Sequence, residues 1–246
     1  MRRFSDKTYW LVGASEGLGR ALAQKMAHAG ANLIISARNE ERLEELAKEI
    51  DGDVSVVPMD VGDNDSVIAA AKDVGEIDGM VYLPALYWPL SAREWDSDKV
   101  LAMADVNYIG AIRVIGEILP AMVERDAGHI VLTGSLSVYR GLPGAIGYVP
   151  VKTALVSLGE SMHCDLINTG VDIQVANPGY IKTRLTDKND FKMPSLMTPE
   201  DAAERMMTHM RSDRFKKDFP FLLGLFFRST TFFPNWLYYR IFGTKA

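Results

Sequence analysis

Short apolar runs alternate with stretches of helical periodicity through most of the chain. Tyr9-Trp10-Leu11-Val12 reads as a buried strand that Gly13 ends. Leu18, Leu22 and Met26 then recur at i, i+4 and i+8, one face of a helix that Gly30 stops. Residues 32–36 form a second strand, and Leu43, Leu46 and Ile50 mark the next helix. The alternation continues with strand at 54–57, helix at 67–74, strand at 80–83, a long helical region over roughly 97–123, and strand at 129–132. A helix over 148–168 and a strand over 171–176 complete it. Strands separated by helices pair in parallel. The pattern therefore predicts an α/β, doubly wound parallel sheet, Rossmann-like, with its site at the carboxyl ends of the strands.

The texture changes after Gly179. Residues 183–199 are polar and carry Pro194 and Pro199, and a helix follows to Met210 with Thr198 as N-cap and Pro199 at its first position. This predicts a single domain over 1–246, with a helical lid at about 183–211 and an aromatic C-terminal extension at 212–246. Ten of the 23 aromatic residues fall between Phe219 and Phe242. The uncharged stretches there, 219–227 and 229–239, are each well short of the ~20 residues of a spanning helix. Three roles stay open for the extension: covering the substrate mouth, packing in a subunit interface, or lying on a membrane with Arg228 and Arg240 toward lipid phosphates, broken into pieces by Gly224 and Pro234.

Composition narrows the function. The 246 residues are 48% hydrophobic and 24% charged, ordinary for a globular protein, and the net charge of −5 leaves no basic excess for nucleic acid. The single Cys164 excludes an intrachain disulfide and fits a reducing compartment. The residues after Met1 lack the apolar core of a secretory signal, so a cytoplasmic protein is expected, with peripheral membrane contact through the tail left open. His28, His129, His163 and His209 are scattered without metal-ligand spacing, so no metal site is expected. His28 reads as a helix-end residue, His129 as a strand-edge one, Cys164 as a packed thiol, and the charge run at 40–49 as a solvated helix face.

The chemistry concentrates at strand ends. Gly13-Ala14-Ser15-Glu16-Gly17-Leu18-Gly19 joins the first strand to the first helix. Glycines there allow positive φ and let the backbone approach a pyrophosphate at the helix N-terminus. The second strand ends Ser36-Ala37-Arg38 with no acid at its tip to hold a ribose diol. Arg38 offers a fork suited to a 2′-phosphate, and Ser36 could add a hydroxyl. NADP(H) is favoured, with NAD(H) left open. Tyr148 and Lys152 stand one helical turn apart, and Pro150 between them requires the helix to begin near Tyr148. A carbonyl that takes up hydride needs a proton at its oxygen, and a nearby ammonium together with the positive nicotinamide of the oxidised cofactor draws a phenol toward the working range. Ser135 has no His partner suggested, which leaves a hydrolase triad unsupported.

The glycine spacing, Ser135 thirteen residues before Tyr148, the Tyr148/Lys152 pair, Asp105-Val106-Asn107, Asp60-Val61 and Asn177-Pro178-Gly179-Tyr180-Ile181-Lys182-Thr183 together resemble the short-chain dehydrogenase/reductase family over residues 7–210. The resemblance implies that Ser135 holds the substrate oxygen, Tyr148 exchanges its proton, and Lys152 holds the nicotinamide ribose. It implies that Asn107 helps hold a water leading from Lys152 to solvent. Asp60 and Val61 would serve the adenine. Pro178 and Gly179 would bound the nicotinamide pocket, Ile181 would bond the carboxamide through its backbone, and Thr183 would contact the carboxamide or the phosphates. One stretch departs from the family: Tyr82-Leu83-Pro84-Ala85-Leu86 stands where Asn-Asn-Ala-Gly is usual. Tyr82 reads as core and Pro84 as fixing the turn.

The expectation is thus an NADP(H)-dependent carbonyl reductase or alcohol dehydrogenase with catalytic Asn107, Ser135, Tyr148 and Lys152. Leu185, Phe191, Met193, Leu196 and Met197, with Tyr87, Trp88 and Tyr139 as further walls, suggest an apolar substrate, and packing in the core is an equal reading for several of them. A homodimer or homotetramer through the two long helices is expected. The competing reading is a non-catalytic dinucleotide-binding or membrane-surface interaction module, which the changed 82–86 segment and the aromatic tail favour.

Overall fold

Each apolar run and the helical period after it become one βα unit in a computed structural model that describes residues 1–243. The first half is β1 (Thr8–Val12), α1 (Gly17–His28), β2 (Asn32–Ser36), α2 (Glu40–Glu49), β3 (Val54–Val56), α3 (Asn64–Val74) and β4 (Gly79–Tyr82). The second half is α4 (Ser97–Ala104), α5 (Gly110–Glu124), β5 (Gly128–Thr133), α6 (Val149–Leu166), β6 (Val171–Pro178), α7 (Pro199–Met210), β7 (Lys216–Phe219), α8 (Phe221–Ser229) and α9 (Asn235–Phe242). The strands form one parallel sheet in the order β3-β2-β1-β4-β5-β6-β7. The order reverses between β1 and β4, which opens a crevice at their carboxyl ends.

The middle of the sheet is buried on both faces, which is why β1, β4 and β5 are near-continuous apolar runs rather than alternating ones. Leu22 and Met26 of α1, Leu43 and Leu46 of α2, and Met206 and Met210 of α7 pack on one side. Val67 of α3, Val114 and Ile118 of α5, and Leu155 and Met162 of α6 pack on the other. Local signals set the helix starts. The Asn39 and Asp63 side chains accept from the backbone N–H groups of Arg42 and Asp65, and Thr198 accepts from Asp201 with Pro199 behind it. Removing such a cap typically costs about 1 kcal/mol.

The long helical region carries one surprise. Residues Asp105–Ile109, between α4 and α5, wind as a π-helical turn that contains the buried Asn107. The 28-residue stretch Ser97–Glu124 is long and apolar enough to cross a membrane by composition alone, but Met103, Val114 and Ile118 seat it on the sheet.

Several expectations are corrected. The helix proposed as part of the lid is core: Ala202, Ala203, Met206 and Met207 of α7 are at most 3% exposed. The cover is therefore confined to about residues 183–198. The extension proposed over 212–246 begins with a sheet strand, β7, whose sequence Lys-Lys-Asp-Phe has no apolar run to reveal it. Gly224 does not break the tail but lies buried within α8, where a Cβ would meet the Asp218 Cβ at 2.7 Å. His129 lies not at an edge but in β5, between β4 and β6. Its ring contacts the Tyr9 hydroxyl and the Gln174 amide oxygen, each at 2.9 Å, and burial pushes its pKa down to about 3. Cys164 is exposed on α6 rather than packed.

Candidate active site

The carboxyl ends of the strands open onto a cleft of about 820 Å³. Its floor is the glycine loop. Gly13 and Gly17 take φ of +87° and +54°, a region costly for other residues. A Cβ on Gly19 would lie 2.1 Å from the Gly13 carbonyl oxygen, so the first turn of α1 approaches the strand only because that residue is glycine. Glu16, the residue before α1, gives no side-chain cap, and no acid sits in the first turn. The helix therefore presents N–H groups and its positive end to the cleft, which fits a pyrophosphate.

Pro84 resolves the departure after β4. A Cβ on Gly13 would lie 2.9 Å from the Pro84 nitrogen, so the proline packs directly on the glycine loop. Tyr82 fills the core beneath, its hydroxyl donating to the Val106 carbonyl at 2.6 Å. Asn107 secures the far end of the segment. Its side chain accepts from the Leu86 N–H at 3.0 Å and donates to the Leu86 and Met103 carbonyls at 2.8 and 2.7 Å. Asn107 does not line the cleft, and its side chain is spent on these three bonds. These bonds fasten the cleft wall at Leu86.

The strand β5 delivers Ser135 and the start of α6 delivers Tyr148 and Lys152. Pro150 falls in the first turn of α6, which places Tyr148 at the helix entrance, as the spacing predicts. Ser135 accepts from the Ser137 N–H at 3.2 Å. The Tyr148 ring meets Tyr87 edge-on at 5.2 Å. Lys152 is 1% exposed, its ammonium 6.0 Å from the Tyr148 ring centre and donating to the Thr133 carbonyl at 2.9 Å. Burial dominates both groups. It pushes the Tyr148 phenol up to about 12, against the opposing effect of the nearby Ser135 hydroxyl. It pulls the Lys152 ammonium down to about 7. Desolvation is the largest cause of both shifts.

Of the residues expected to hold a cofactor, all but Ser36 line the cleft. Ser36 is fully buried, and its hydroxyl accepts the Trp10 indole N–H at 2.8 Å, so it has no contact to offer a 2′-phosphate. Arg38 is exposed at the cleft edge. The Asp60 carboxylate accepts from the Gly62 N–H at 2.9 Å, closing a turn after β3. Among the described residues no group of three His, Cys, Asp or Glu side chains is placed to hold a metal.

The structure adds residues that the sequence did not single out. Glu16 pairs with Arg42 at 2.9 Å and with Arg184 at 2.5 Å, and all three line the cleft. Arg42 was hidden in the charge run at 40–49, where periodicity marks only an outward face. Phe227 of α8 also lines the cleft. Of the expected apolar walls, Tyr87, Leu185 and Phe191 are present, whereas Trp88, Tyr139, Met193, Leu196 and Met197 are not. Met197 is instead buried as the bridge partner of Ile181, and the Tyr139 hydroxyl donates to Asp218. The cover is tied down at its other end by Lys188, which donates to the Tyr87 carbonyl at 2.7 Å.

Known proteins resemble the chain over most of its length. The pattern of the short chain dehydrogenase family matches residues 7–193. An uncharacterized oxidoreductase of Myxococcus xanthus is 33% identical over 97% of both chains. A short-chain dehydrogenase from Streptomyces avermitilis shares the fold with a TM-score of 0.84, at 21% identity over 92% of each chain. An alcohol dehydrogenase from the archaeon Thermococcus sibiricus, solved with 5-hydroxy-NADP, superposes with a TM-score of 0.78 at 24% identity, over 86% of this chain and 95% of its own.

Proposed function

The chain belongs to the short chain dehydrogenase family, oxidoreductases that use a nicotinamide dinucleotide, and from that premise we propose that it reduces an apolar carbonyl compound with NADP(H). The observation that carries this reading is the convergence of Ser135, Tyr148 and Lys152 on one cleft whose floor is a glycine loop and a helix N-terminus. The whole chain acts as one catalytic domain in a cytoplasmic setting. The exposed Leu101, Ile109, Ile112, Val123 and Ile167 on and beside the long helices support assembly as a dimer or tetramer.

The glycine loop would hold the pyrophosphate, Arg38 the 2′-phosphate, Asp60 and Val61 the adenine end, and Pro178, Gly179, Ile181 and Thr183 the nicotinamide end. When bound, the reduced nicotinamide supplies a hydride to the carbonyl carbon. Ser135 and Tyr148 hold the carbonyl oxygen with their hydroxyls. A phenol lifted to about 12 stays protonated at neutral pH, so Tyr148 arrives as a donor. As charge develops on the oxygen, the phenol proton moves to it and the product is an alcohol. Lys152, in its protonated form, lowers the cost of the phenolate left behind. Tyr87, Phe191, Leu185 and Phe227 exclude water from the reacting oxygen and give an apolar substrate its fit.

Tyr148→Phe is expected to bind NADPH as the parent does and to lose at least a hundredfold in turnover on a carbonyl panel, followed by cofactor absorbance. Substantial remaining activity would remove Tyr148 from the mechanism. Arg38→Ala is expected to weaken NADPH by about tenfold, the worth of a lost charged contact, and to leave NADH unchanged. Equal binding of NADPH and NADH by the parent protein would overturn the cofactor preference. The second reading is a dinucleotide-binding module without turnover, favoured by the rebuilt 82–86 segment and by an Asn107 side chain committed to holding it. NADPH binding with no carbonyl of any class reduced would establish that reading instead.

A further inference from the structure

The tail helices join two surfaces. The inner side of α8 is part of the site: Phe227 lines the cleft, and the Leu223 side chain lies 3.2 Å from where a Cβ on Gly179 would stand. The loop at the cleft edge is clamped to α9. Arg140 stacks on the Tyr238 ring at 3.8 Å and donates to the Phe233 carbonyl at 2.9 Å, while the Tyr238 hydroxyl donates to the Gly141 carbonyl at 2.7 Å. Leu142 and Pro143, the next residues, line the cleft. The tail is thus a fixed rim of the cleft mouth.

Its outer side is apolar and bare. Phe221 and Leu222 are 72% and 77% exposed, and Leu225 and Phe226 follow one turn on. Phe232 is 84% exposed and Trp236 67%. The only polar side chains of the nine-residue α8 are Arg228 and Ser229, both at its C-terminal end. The charge over it is one-sided. Residues 219–246 contain Arg228, Arg240 and Lys245 and no acid, in a chain of net charge −5. A second copy fits this patch poorly. A two-fold pairing sets each patch against itself and brings Arg240 toward its own copy with no acid in the segment to answer it, while Arg228 already leans on Asp218 at 4.0 Å. An anionic lipid surface answers both features, since Phe, Leu and Trp enter the acyl boundary while Arg meets headgroup phosphate. Neither tail helix is long enough to span, so the segment lies in the plane of the surface.

We propose that the outer face of α8 and α9 docks on an anionic bilayer and sets the mouth of the cleft at the lipid boundary, so that the substrate is a carbonyl compound dissolved in the membrane. The docking stands without any assumption about catalysis. The origin of the substrate rests on the reductase reading above. Phe227, which the docked helix shares with the cleft, gives an apolar substrate a continuous path from lipid to Tyr148.

The test is cosedimentation of the full chain with vesicles of phosphatidylcholine alone and of phosphatidylcholine with phosphatidylglycerol. Binding to the anionic vesicles is expected, at least tenfold tighter than to the neutral ones. The triple variant Leu222→Ser, Leu225→Ser, Phe232→Ser is expected to lose it at least tenfold while NADPH binding is unchanged. Arg228→Gln with Arg240→Gln is expected to erase the preference for anionic vesicles. Absence of binding to both vesicles, or equal binding by parent and triple variant, overturns the docking. An oligomer in solution that the triple variant dissociates, without vesicle binding by the parent, assigns the face to a second copy and also overturns it. With docking established, a long-chain carbonyl partitioned into anionic vesicles is expected to be reduced faster by the parent than by the triple variant, while a short water-soluble carbonyl is reduced equally by both. Equal rates on the long-chain compound overturn the membrane origin of the substrate. No turnover of either compound despite vesicle binding counts against the reductase reading alone.

Discussion

Burial sets the character of Tyr148 and Lys152 more strongly than their mutual charge does. Lys152 is closed off from water, and its one hydrogen bond, to the Thr133 carbonyl, does not repay the lost hydration, so its ammonium falls to about 7. The sign of the pH effect follows. The folded protein gives up this proton far below the usual lysine value, so the group's contribution to stability is full above that value and is lost as pH falls through about 7. At neutral pH and below, folding carries the cost of a buried charge. Lys152→Met is therefore expected to stabilise the protein at pH 6–7, by about 1 kcal/mol or more in urea unfolding, and to abolish reduction. The gain should shrink toward pH 10. A variant less stable than the parent at pH 6 would show that the lysine is a structural asset. In the parent, kcat/KM for reduction is expected to fall as pH rises through about 7, as the ammonium beside the phenol discharges.

At the scale of elements, the π turn at Asp105–Ile109 and the segment after β4 form one device. The turn carries Asn107 within reach of both backbone groups of Leu86, and this fixes the wall that Tyr87 completes. Asn107→Ala removes three hydrogen bonds at a residue that is 0% exposed, and the expected loss is about 2 kcal/mol or more in chemical denaturation. NADPH affinity should weaken with it, because Pro84 of the same segment packs on the glycine loop. Unchanged cofactor affinity would mean that the segment holds its place without the asparagine. The Glu16 pairs with Arg42 and Arg184 are a different case. Each is substantially exposed, and pairs of that kind are worth at most about 1 kcal/mol. Their interest is position, since they link the glycine loop to α2 and to the base of the cover.

For the whole molecule, the tail is two structures in succession. Strand β7 extends the sheet beyond β6, with Phe219 at 1% exposed, whereas α8 and α9 lie outside as the rim of the cleft. The two parts should respond differently to truncation. A chain ended after Phe219 is expected to melt cooperatively, with the cleft rim gone and Arg140 without its partners. A chain ended after Asp213 bares the edge of β6 and is expected to aggregate or to melt far below the parent, in soluble yield and thermal unfolding. Equal melting of the two truncated chains would mean that β7 adds nothing to the core.

The alternating βα order, the doubly wound sheet, the glycine loop and the Tyr148/Lys152 spacing were all legible in the sequence. They rest on neighbours within one strand, one turn or one helix face, and such short-range constraints are written in residue type and period. Contacts between distant residues were not legible. Ser36 looked available until Trp10 took its hydroxyl, His129 looked like an edge residue until the strand order placed it at the centre, and Lys-Lys-Asp-Phe carried no sign of a strand until β6 stood beside it. The same holds for α7, whose amphipathic pattern shows which face is buried but not that α1 and the sheet lie against it. Residue chemistry and its order along the chain belong to the sequence. Burial, and with it the protonation of Tyr148 and Lys152, is decided only when segments as distant in sequence as those of Tyr87 and Thr133 close around them and exclude water.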